Sequence, residues 1–323
     1  MPELPEVQTT VNGLNRAVRG LKITGVWTDY NSAFHKGKDS IKDPAYFRYF
    51  KKNVVGAKIV SADRVAKNIL IKIEKTTGGK GDAQKFAILV HMKMTGHLMY
   101  GDYDRADPLN RFIHLIFTFN NRKTLELSDM RKFAKVTLIA EKDLEKGTGQ
   151  SLHLANIGPD PLDKSFTFAV FKERLRRKPN GRVKTVLMDQ SVIAGIGNIY
   201  SDEALWRAGI HPEERVKDIF AENHSARNDS DALLKKLYAA VIAVLKKGID
   251  FGGDYMSDYR NIHGKRGKFQ EQHHAYRKTG ERCELMIRGP HGGKTKRCKG
   301  IITRKIVGDR SAHFCSVHQR LLD

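Results

Sequence analysis

The stretch Asp189-Gln-Ser-Val-Ile-Ala-Gly-Ile-Gly-Asn-Ile-Tyr-Ser-Asp-Glu203 is the most specific pattern in the chain, and it lies between two segments of helical periodicity. Gly195 and Gly197 permit a tight backbone turn that can approach a phosphate closely. Asn198 adds a side chain that can hydrogen-bond to the same group. The stretch therefore predicts two helices joined by an anion-binding turn, with the second helix starting near Ser201.

Further helices are predicted on both sides of this turn. Thr167 is a candidate N-cap for a helix that runs through Arg176. Ser230 precedes a longer helix that Gly248 closes, and its apolar positions fall on one face. Those positions are Leu233, Leu237, Val241 and Leu245. At the start of the chain, one more amphipathic helix is predicted from the spacing of Val7, Val11, Leu14 and Val18, with Gly20 as its stop.

The segment from Lys22 to Ala140 has the short alternating pattern of strands instead. Examples are Asn68–Ile73, Phe86–Val90, Arg111–Phe119 and Lys135–Ile139. Asn120-Asn121 is typical of a hairpin turn. Many short strands with turn signals predict a β-sandwich or barrel, so the fold class is α+β with several domains.

The charge balance favours a polyanionic partner. The chain has 58 Lys+Arg against 36 Asp+Glu, a net charge of +22. Such a surface attracts nucleic acid first; a generally basic, ribosome-associated protein is the alternative. No apolar run approaches the length of a membrane span, and residues Met1–Gln8 do not form a secretory leader. We expect a cytoplasmic, nucleoid-associated protein without a membrane partner.

The three cysteines, Cys283, Cys298 and Cys315, all lie near the C-terminus. An odd, clustered set in a chain without a leader favours a metal site over a disulfide framework.

The N-terminus offers an unusual nucleophile once Met1 is removed. A free α-amino group has a pKa near ~7.7–8.0, against ~10.4 for lysine, so more of it is unprotonated at neutral pH. Attack by the secondary amine of Pro2 on C1′ of a deoxyribose gives an iminium ion, which acidifies the C2′ proton. Glu3 stands beside the amine as a general acid or base, and Glu6 could support it.

These motifs together resemble the Fpg/Nei family of formamidopyrimidine-DNA glycosylases. The resemblance runs from Met-Pro-Glu-Leu-Pro-Glu-Val7 to the C-terminus, with divergent insertions around Thr76–Gln84 and Met286–Lys296. It implies that Pro2 is the nucleophile, Glu3 the acid and Lys67, in Arg64-Val-Ala-Lys-Asn-Ile-Leu70, a catalytic lysine. It also implies that Asp189–Glu203 is a helix–two-turn–helix (H2TH) element whose Asn198 binds the DNA backbone.

The resemblance assigns further DNA-binding residues. His91 in His-Met-Lys-Met-Thr-Gly96 matches a phosphate contact. Met94, Arg131 and Phe133 match the side chains that fill the gap left by a flipped base. His114 matches a DNA-contacting histidine, although it could equally be structural. Lys178 in a basic run either touches phosphate or lies on a solvated helix face.

The C-terminal module resembles the family's zinc finger with two departures, namely an insertion in its first half and a histidine as its last ligand. The expected ligands of one structural Zn²⁺ are Cys283, Cys298, Cys315 and His318. His291 and His313 are rival fourth ligands, and loss of metal binding is the alternative. Arg310 matches an arginine at the finger tip that assists the second elimination.

The resulting hypothesis is a monomeric bifunctional glycosylase and lyase acting on damaged double-stranded DNA. The expected domains are 1–145 (catalytic helix and sandwich), 146–250 (H2TH) and 251–323 (lesion-capping loop and zinc finger). A divergent loop at Gly252–Gln272 resembles the one that covers an oxidised purine, which favours 8-oxoguanine and formamidopyrimidines. The alternatives are a Nei-type enzyme for oxidised pyrimidines and a non-catalytic zinc-dependent DNA-binding protein.

Overall fold

The computed structural model describes residues 1–76, 83–102, 106, 108–145, 154–221, 230–255, 259–287 and 295–321. The chain forms two compact units, each made of two stretches of sequence. The first unit is Met1–Asn156 with Gly248–Gln270, and the second is Ile157–Lys247 with Glu271–Asp323. The three-part domain division stays a prediction.

Helix α1 (Leu4–Ala17) opens the first unit. Its N-terminus is fixed by Pro5 in the first turn and by a capping box between Glu3 and Glu6. The predicted apolar stripe is confirmed, since Val7, Val11, Leu14 and Val18 are all buried. Gly20 adopts the left-handed backbone (φ +84°) expected of a residue just past a helix end.

Two four-stranded antiparallel sheets follow, and they confirm the predicted sandwich. The first has the order β1 (Ile23–Thr28), β6 (Ile113–Phe119), β7 (Thr124–Ser128), β5 (His97–Gly101). The second has the order β2 (Lys58–Val65), β3 (Asn68–Thr76), β4 (Ala83–His91), β8 (Lys135–Ala140). Buried side chains of both sheets and of α1 form one hydrophobic cluster.

One helix interrupts the stretch that was predicted as strands. Helix α2 (Pro44–Val54) has Asp43 as N-cap, whose carboxylate accepts from the backbone N–H of Ala45. Phe50 and Val54, one helical turn apart, enter the core. The assignment of all of Lys22–Ala140 to strands was therefore wrong here. A short helix, α3 (Glu141–Glu145), follows the last strand.

The second unit contains the helices α4 (Phe168–Arg176), α5 (Val183–Met188), α6 (Asn198–Ala208), α7 (Val216–Ile219) and most of α8 (Ser230–Asp250). Thr167 caps α4 as predicted. Helix α6 begins at Asn198 rather than at Ser201, because Gly197 is its N-cap. Gly248 does not close α8, which continues to Asp250 and buries the predicted apolar face.

Two short antiparallel hairpins complete the described part of the second unit. One pairs β9 (Met286–Ile287) with β10 (Lys296–Arg297), and the other pairs β11 (Ile302–Val307) with β12 (Arg310–Cys315). The three cysteines and Trp206 form a small buried cluster with Ile302. Among the described residues, no helix is long and apolar enough to cross a bilayer.

Candidate active site and metal centre

The N-terminus of the first unit is held by a carboxylate that serves two backbone groups. Pro2 is buried and Glu3 is only 2% exposed. Oε2 of Glu6 accepts a hydrogen bond from the backbone N–H of Glu3 at 2.7 Å. Its Oε1 accepts from the backbone N–H of Asp254, also at 2.7 Å. Glu6 therefore ties the first turn of α1 to the segment after α8.

That segment depends on a glycine at the point of closest approach. Gly253 has φ +85°, and a Cβ on it would lie 2.9 Å from Cγ of Glu6. Tyr259 closes the same region, since its hydroxyl donates to the backbone carbonyl of Glu6 at 2.8 Å. Residues 256–258 of the expected lesion-capping loop lie outside the described residues.

The electrostatics of the terminus favour a neutral amine. Burial lowers the pKa of the terminal amine of Met1, and the positive charge of Lys67 lowers it further. The carboxylates of Glu3, Glu6 and Asp254 act in the opposite direction. Desolvation is the largest of these effects, and an unprotonated amine is the nucleophilic form.

Lys67 lies in the two-residue turn between β2 and β3, where Val65 pairs with Asn68. The side chain is 6% exposed. Two contacts fix this hairpin on α1. The side chain of Asn15 both donates to and accepts from the backbone of Ala62, at 2.7 and 2.8 Å. Nε of Arg64 donates to Oε1 of Gln8 at 2.8 Å. The helix that carries Pro2 and Glu3 is thus hydrogen-bonded to the strand that leads to Lys67.

His91 ends β4 as a neutral imidazole. Burial lowers its pKa to about 3, and Lys93 and Lys67 lower it as well. Its Nδ1 accepts from the backbone N–H of Lys93 at 3.0 Å, so the remaining hydrogen is on Nε2. A neutral histidine with a free-standing donor can still hydrogen-bond to a phosphate oxygen. Met94, three residues after His91 in the turn that follows β4, is partly buried.

Arg131 and Phe133 lie on the loop between β7 and β8. Phe133 is 51% exposed, and the Arg131 guanidinium lies 4.7 Å from the centroid of its ring. An exposed aromatic ring with a cation over it is not core packing, and it is available to a base stack.

Asp129, to which no role was assigned from the sequence, organises this loop. The residue is fully buried. Its Oδ2 accepts from the backbone N–H of Ala134 at 2.6 Å, and its Oδ1 accepts from the backbone N–H of Arg131 at 3.3 Å. Oδ1 also accepts from the hydroxyl of Thr95 at 2.5 Å. One carboxylate thus joins the loop of Met94 to the loop of Phe133.

His114 does not offer an exposed donor. It is 3% exposed in β6, and its Nδ1 lies 2.9 Å from Oδ2 of Asp29. Its Nε2 is buried without a hydrogen-bond partner among the described residues. This geometry favours the structural alternative over a DNA contact.

A shared backbone feature marks four of the predicted site residues. Each follows directly on a residue other than glycine in the left-handed conformation. These are Ala66 before Lys67, Lys93 before Met94, Lys132 before Phe133 and Asp309 before Arg310, with φ of 55°, 56°, 54° and 61°. L-residues adopt this conformation at a cost, and such positions concentrate at functional sites. Arg122, Asn156 and Arg277 share it away from them.

In the second unit, the turn between α5 and α6 is organised by Gln190, to which no role was assigned from the sequence. Its Nε2 donates to the carbonyls of Met188 and Ile196, both at 2.8 Å. Its Oε1 accepts from the backbone N–H of Gly195, which has φ +89°. Asn198 is the first residue of α6, so it stands at a helix N-terminus, which attracts anions.

Lys178 is half-exposed and forms an ion pair with Asp189, the first residue of this turn. Its ammonium is therefore engaged in the protein, and this contact supports a role in shaping the turn.

The four expected metal ligands come together. The ligand atoms of Cys283, Cys298, Cys315 and His318 all lie within 4.8 Å of one another. His313 is directed elsewhere, since its Nδ1 contacts Oδ2 of Asp202 at 2.9 Å. His291 lies outside the described residues. Of the described candidates, only His318 completes the set with the three thiols.

The surroundings of the cluster suit a metal ion. Nε2 of His318 donates to the backbone carbonyl of Trp206 at 3.0 Å, which leaves Nδ1 as the ligand atom. The backbone N–H groups of Gly300 and Val317 donate to the sulfurs of Cys298 and Cys315, both at 3.4 Å. Such bonds stabilise thiolates. A Cβ at Gly300 would collide with the sulfur of Cys315.

Burial raises the pKa of Cys283 to about 12 in the metal-free protein, and burial lowers the pKa of His318. A divalent cation would reverse the first effect, because it stabilises the thiolate directly. The donor set, its hydrogen bonds and its neutral histidine fit a structural Zn²⁺ site.

Two adjacent acidic residues of α6, Asp202 and Glu203, hold the C-terminal segment that contains the two hairpins, residues 271–321, which we call the hairpin module. Asp202 is fully buried, pairs with the buried ammonium of Lys184, and accepts from both the backbone N–H and Nδ1 of His313. Glu203 accepts from the backbone N–H groups of residues 274–276 at 2.8–2.9 Å. Arg310 is exposed at the far end of β12, after the turn at Gly308.

The fold, with these groups of side chains, is that of a DNA-repair glycosylase. The formamidopyrimidine-DNA glycosylase N-terminal domain matches residues 1–136, and the H2TH domain of the same enzymes matches residues 157–260. The chain belongs to the formamidopyrimidine-DNA glycosylase family.

Individual relatives agree over nearly the whole length. The formamidopyrimidine-DNA glycosylase of Bacillus subtilis is 34% identical over 316 residues, 98% of each chain. A Lactococcus lactis Fpg in complex with DNA containing an abasic site superimposes with a TM-score of 0.76, at 28% identity over 98% of this chain and 99% of that one. The wild-type L. lactis enzyme with N7-benzyl-Fapy-dG DNA gives 0.76 at 29% identity, over 99% and 100%.

Proposed function

We propose that the chain is a bifunctional DNA glycosylase and abasic-site lyase that removes oxidised purines, 8-oxoguanine and formamidopyrimidines, in base excision repair. The observation that carries the proposal is that Pro2 and Glu3 are both buried at the start of α1, where burial lowers the pKa of the adjoining Met1 amine and Lys67 lowers it further, against the opposing effect of Glu3. The solved relatives were bound to DNA with an abasic site and with a Fapy-dG derivative, which supports the same substrate class for this chain.

The first step is nucleophilic. After removal of Met1, the nitrogen lone pair of Pro2 forms a bond to C1′ while the glycosidic bond breaks and its electrons leave with the base, which gains a proton. The secondary amine loses its N–H proton. Glu3 donates a proton to O4′ as the sugar opens, and the product is an iminium ion at C1′.

The second stage is elimination. The iminium cation accepts the electrons released when the C2′ proton is removed, and the bond from C3′ to the 3′ phosphate oxygen breaks. A second elimination releases the 5′ phosphate. Lys67 pairs with a phosphate beside the lesion and assists proton transfer, and Arg310 assists the second elimination from the finger tip.

The remaining residues hold the DNA. The Nε2 hydrogen of His91 and the N-terminus of α6 at Asn198 donate hydrogen bonds to backbone phosphates. Met94, Arg131 and Phe133 fill the gap left by the flipped nucleotide. The net charge of +22 supports binding to duplex DNA. We expect the protein to act as a monomer in the cytoplasm.

Cys283, Cys298, Cys315 and His318 would hold one structural Zn²⁺. The ion supplies a rigid crosslink to a two-stranded hairpin, which is too small to be stable alone. Its test is metal analysis of the purified protein, followed by chelation. We expect one zinc per chain, and near-complete loss of cleavage with loss of the ion. Full cleavage by metal-free protein would contradict this part of the proposal.

The decisive experiment is borohydride trapping on a duplex that contains 8-oxoguanine. Protein without Met1 is expected to give a covalent adduct and strand cleavage, and protein that retains Met1 is expected to give neither. If Pro2→Gly crosslinks and cleaves as well as wild type, the mechanism fails. A faster reaction on thymine glycol than on 8-oxoguanine would point to a Nei-type specificity instead.

A further inference from the structure

A concave basic surface lies beside Phe133, and none of the roles proposed above uses it. It encloses about 410 Å³ and is formed by three segments of the first unit: the loop between β1 and α2, the turn after β4, and the loop before β8. Its charged lining consists of Lys38, Asp39, Lys42, Lys93 and Lys135. We call these residues, with Phe133, the basic pocket.

The loop between β1 and α2 that forms one wall is held in a defined shape. Its ends are joined by a hydrogen bond from the backbone N–H of Ser32 to the carbonyl of Lys42, at 2.9 Å. Asp43, the cap of α2, also accepts from the backbone N–H of Gly37 at 3.0 Å. The Lys38 ammonium lies 3.6 Å from the centroid of the Phe34 ring. The wall is therefore formed before any ligand arrives.

The net positive charge of the basic pocket favours the binding of an anion. Four lysines against one aspartate leave three net positive charges, with a neutral His35 at the edge. Lys42 is 7% exposed, and its Nζ donates to the backbone carbonyl of Lys132 in the Phe133 loop. Burial lowers the pKa of Lys42 and of Lys135, and Lys93 lowers both further, whereas Asp129 raises the pKa of Lys42 and Asp39 raises that of Lys135. An anion among these ammonium groups would relieve their repulsion, and a concave wall focuses their field.

We infer that the basic pocket binds one backbone phosphodiester of the DNA, next to the base step that Phe133 enters. The inference rests on the proposed function, because it needs DNA on this face of the sandwich. Phe133 forms an apolar wall of the same cavity, against which the sugar of that nucleotide can pack. The pocket would then hold the DNA backbone in place while the ring of Phe133 enters the base stack. The basic pocket and Phe133 would therefore contact neighbouring atoms of one strand.

The test compares a double lysine variant inside the basic pocket with a single lysine variant outside it. The double variant Lys38→Gln with Lys93→Gln removes two pocket charges and keeps long polar side chains. Lys36→Gln is the matched control, since it removes an exposed charge on the same loop outside the pocket. Binding to a duplex with a stable abasic analogue is measured by fluorescence anisotropy at several salt concentrations. Thermal unfolding of both proteins checks that they remain folded.

The double variant is expected to lower the slope of log K against log salt by about 1, the value for one lost phosphate contact. The control is expected to change the slope much less. Equal slopes for the two variants would overturn the inference. Lys38→Glu alone, at an exposed position, provides a second measurement of the change in this slope, and that measurement does not depend on Lys93.

A methylphosphonate scan then identifies the ligand. Neutral linkages are placed one at a time in both strands around the lesion. At one linkage, wild type and the double variant are expected to bind equally; no such linkage would overturn the assignment. Inorganic phosphate is also titrated against the wild type at equilibrium. If phosphate binds while the scan finds no linkage of that kind, the pocket takes free anions and the DNA assignment is wrong. Failure of wild-type trapping would instead refute the proposed function.

Discussion

The two units share one way of placing site residues and differ in another, because Arg310 of the second unit also follows a left-handed residue, Asp309, with φ 61°. In the first unit, Lys67, Met94 and Phe133 stand at turns, each directly after a left-handed residue, and Phe133 remains 51% exposed. In the second unit, the hairpin module is anchored by charges inside the protein, with Lys184 and Asp202 fully buried. The sandwich has a large core and can tolerate strained turns at its edge. The hairpin has a small core, so buried polar contacts and the cluster of three cysteines and His318 set its position.

The largest expected effect breaks the chemistry of the first unit without breaking its fold. Glu3→Gln keeps an acceptor at the cap of α1 but removes the acid. We expect excision of 8-oxoguanine to slow by roughly 10²–10⁴-fold under single turnover, with duplex binding retained. Glu74→Gln, a partly exposed carboxylate on the same sandwich, is the control and should react at the wild-type rate. A Glu3→Gln protein within tenfold of wild type would remove Glu3 from the mechanism.

The second prediction breaks the anchoring of the second unit. Asp202→Ala leaves the buried ammonium of Lys184 without its counter-charge, which should lower the free energy of unfolding by about 3–5 kcal/mol. Denaturant unfolding measures it. Lys164→Ala, at an exposed position of the same unit, should change stability by less than about 0.5 kcal/mol. Comparable losses in the two variants would mean that the buried pair does not distinguish this unit.

The third prediction concerns pH. His91 is neutral in the folded protein because burial lowers its pKa to about 3, whereas an unfolded histidine titrates near ~6.5. Below pH ~6.5 the unfolded chain binds the extra proton, so the free energy of unfolding falls as the pH is lowered, by at most about 1.4 kcal/mol per unit from this group. His91→Gln should flatten the slope between pH 6.5 and 5. The exposed His263→Gln should leave it unchanged, and an unaltered slope in His91→Gln would refute the assignment.

The smallest effect sharpens the contrast in backbone strain. Ala66→Gly relieves the left-handed conformation before Lys67 but adds freedom to the unfolded chain, so we expect a gain in unfolding free energy of no more than about 1 kcal/mol. Ala33→Gly, at an exposed residue without positive φ, should instead lose about 0.4–1 kcal/mol. Losses in both variants would show that the turn at Ala66 carries no strain.

Patterns with a period were predicted well from the sequence. The stripe on α1, the strands of the sandwich and the buried face of α8 all come from spacing alone. Helix α2 was missed although Asp43 and Pro44 form a helix start signal. Its aromatic residues resemble a strand, and only Phe50 and Val54 enter the core.

Side chains that hydrogen-bond to backbone were not predicted. Asp129 and Gln190 have no periodic signal, and their roles arise from N–H and carbonyl groups that converge on them in the folded chain. His114 could not be assigned to the buried or exposed face from its position in a strand. The complete metal set, with His318 as its fourth member, was predicted from the sequence because thiols are scarce in this chain, and the fold argues against the rival His313, whose Nδ1 contacts Asp202.

The metal cluster also has a consequence for oxidation. The sulfurs of Cys298 and Cys315 lie 3.7 Å apart, and a disulfide needs about 2.05 Å. A metal ion held there would keep both sulfurs coordinated, whereas without the ion the two neighbouring thiols can be joined by a two-electron oxidant. The crosslink would lock the hairpin without His318 and Cys283. A DNA-repair glycosylase would then carry its own oxidation-sensitive element, and a bound zinc ion would be its protection.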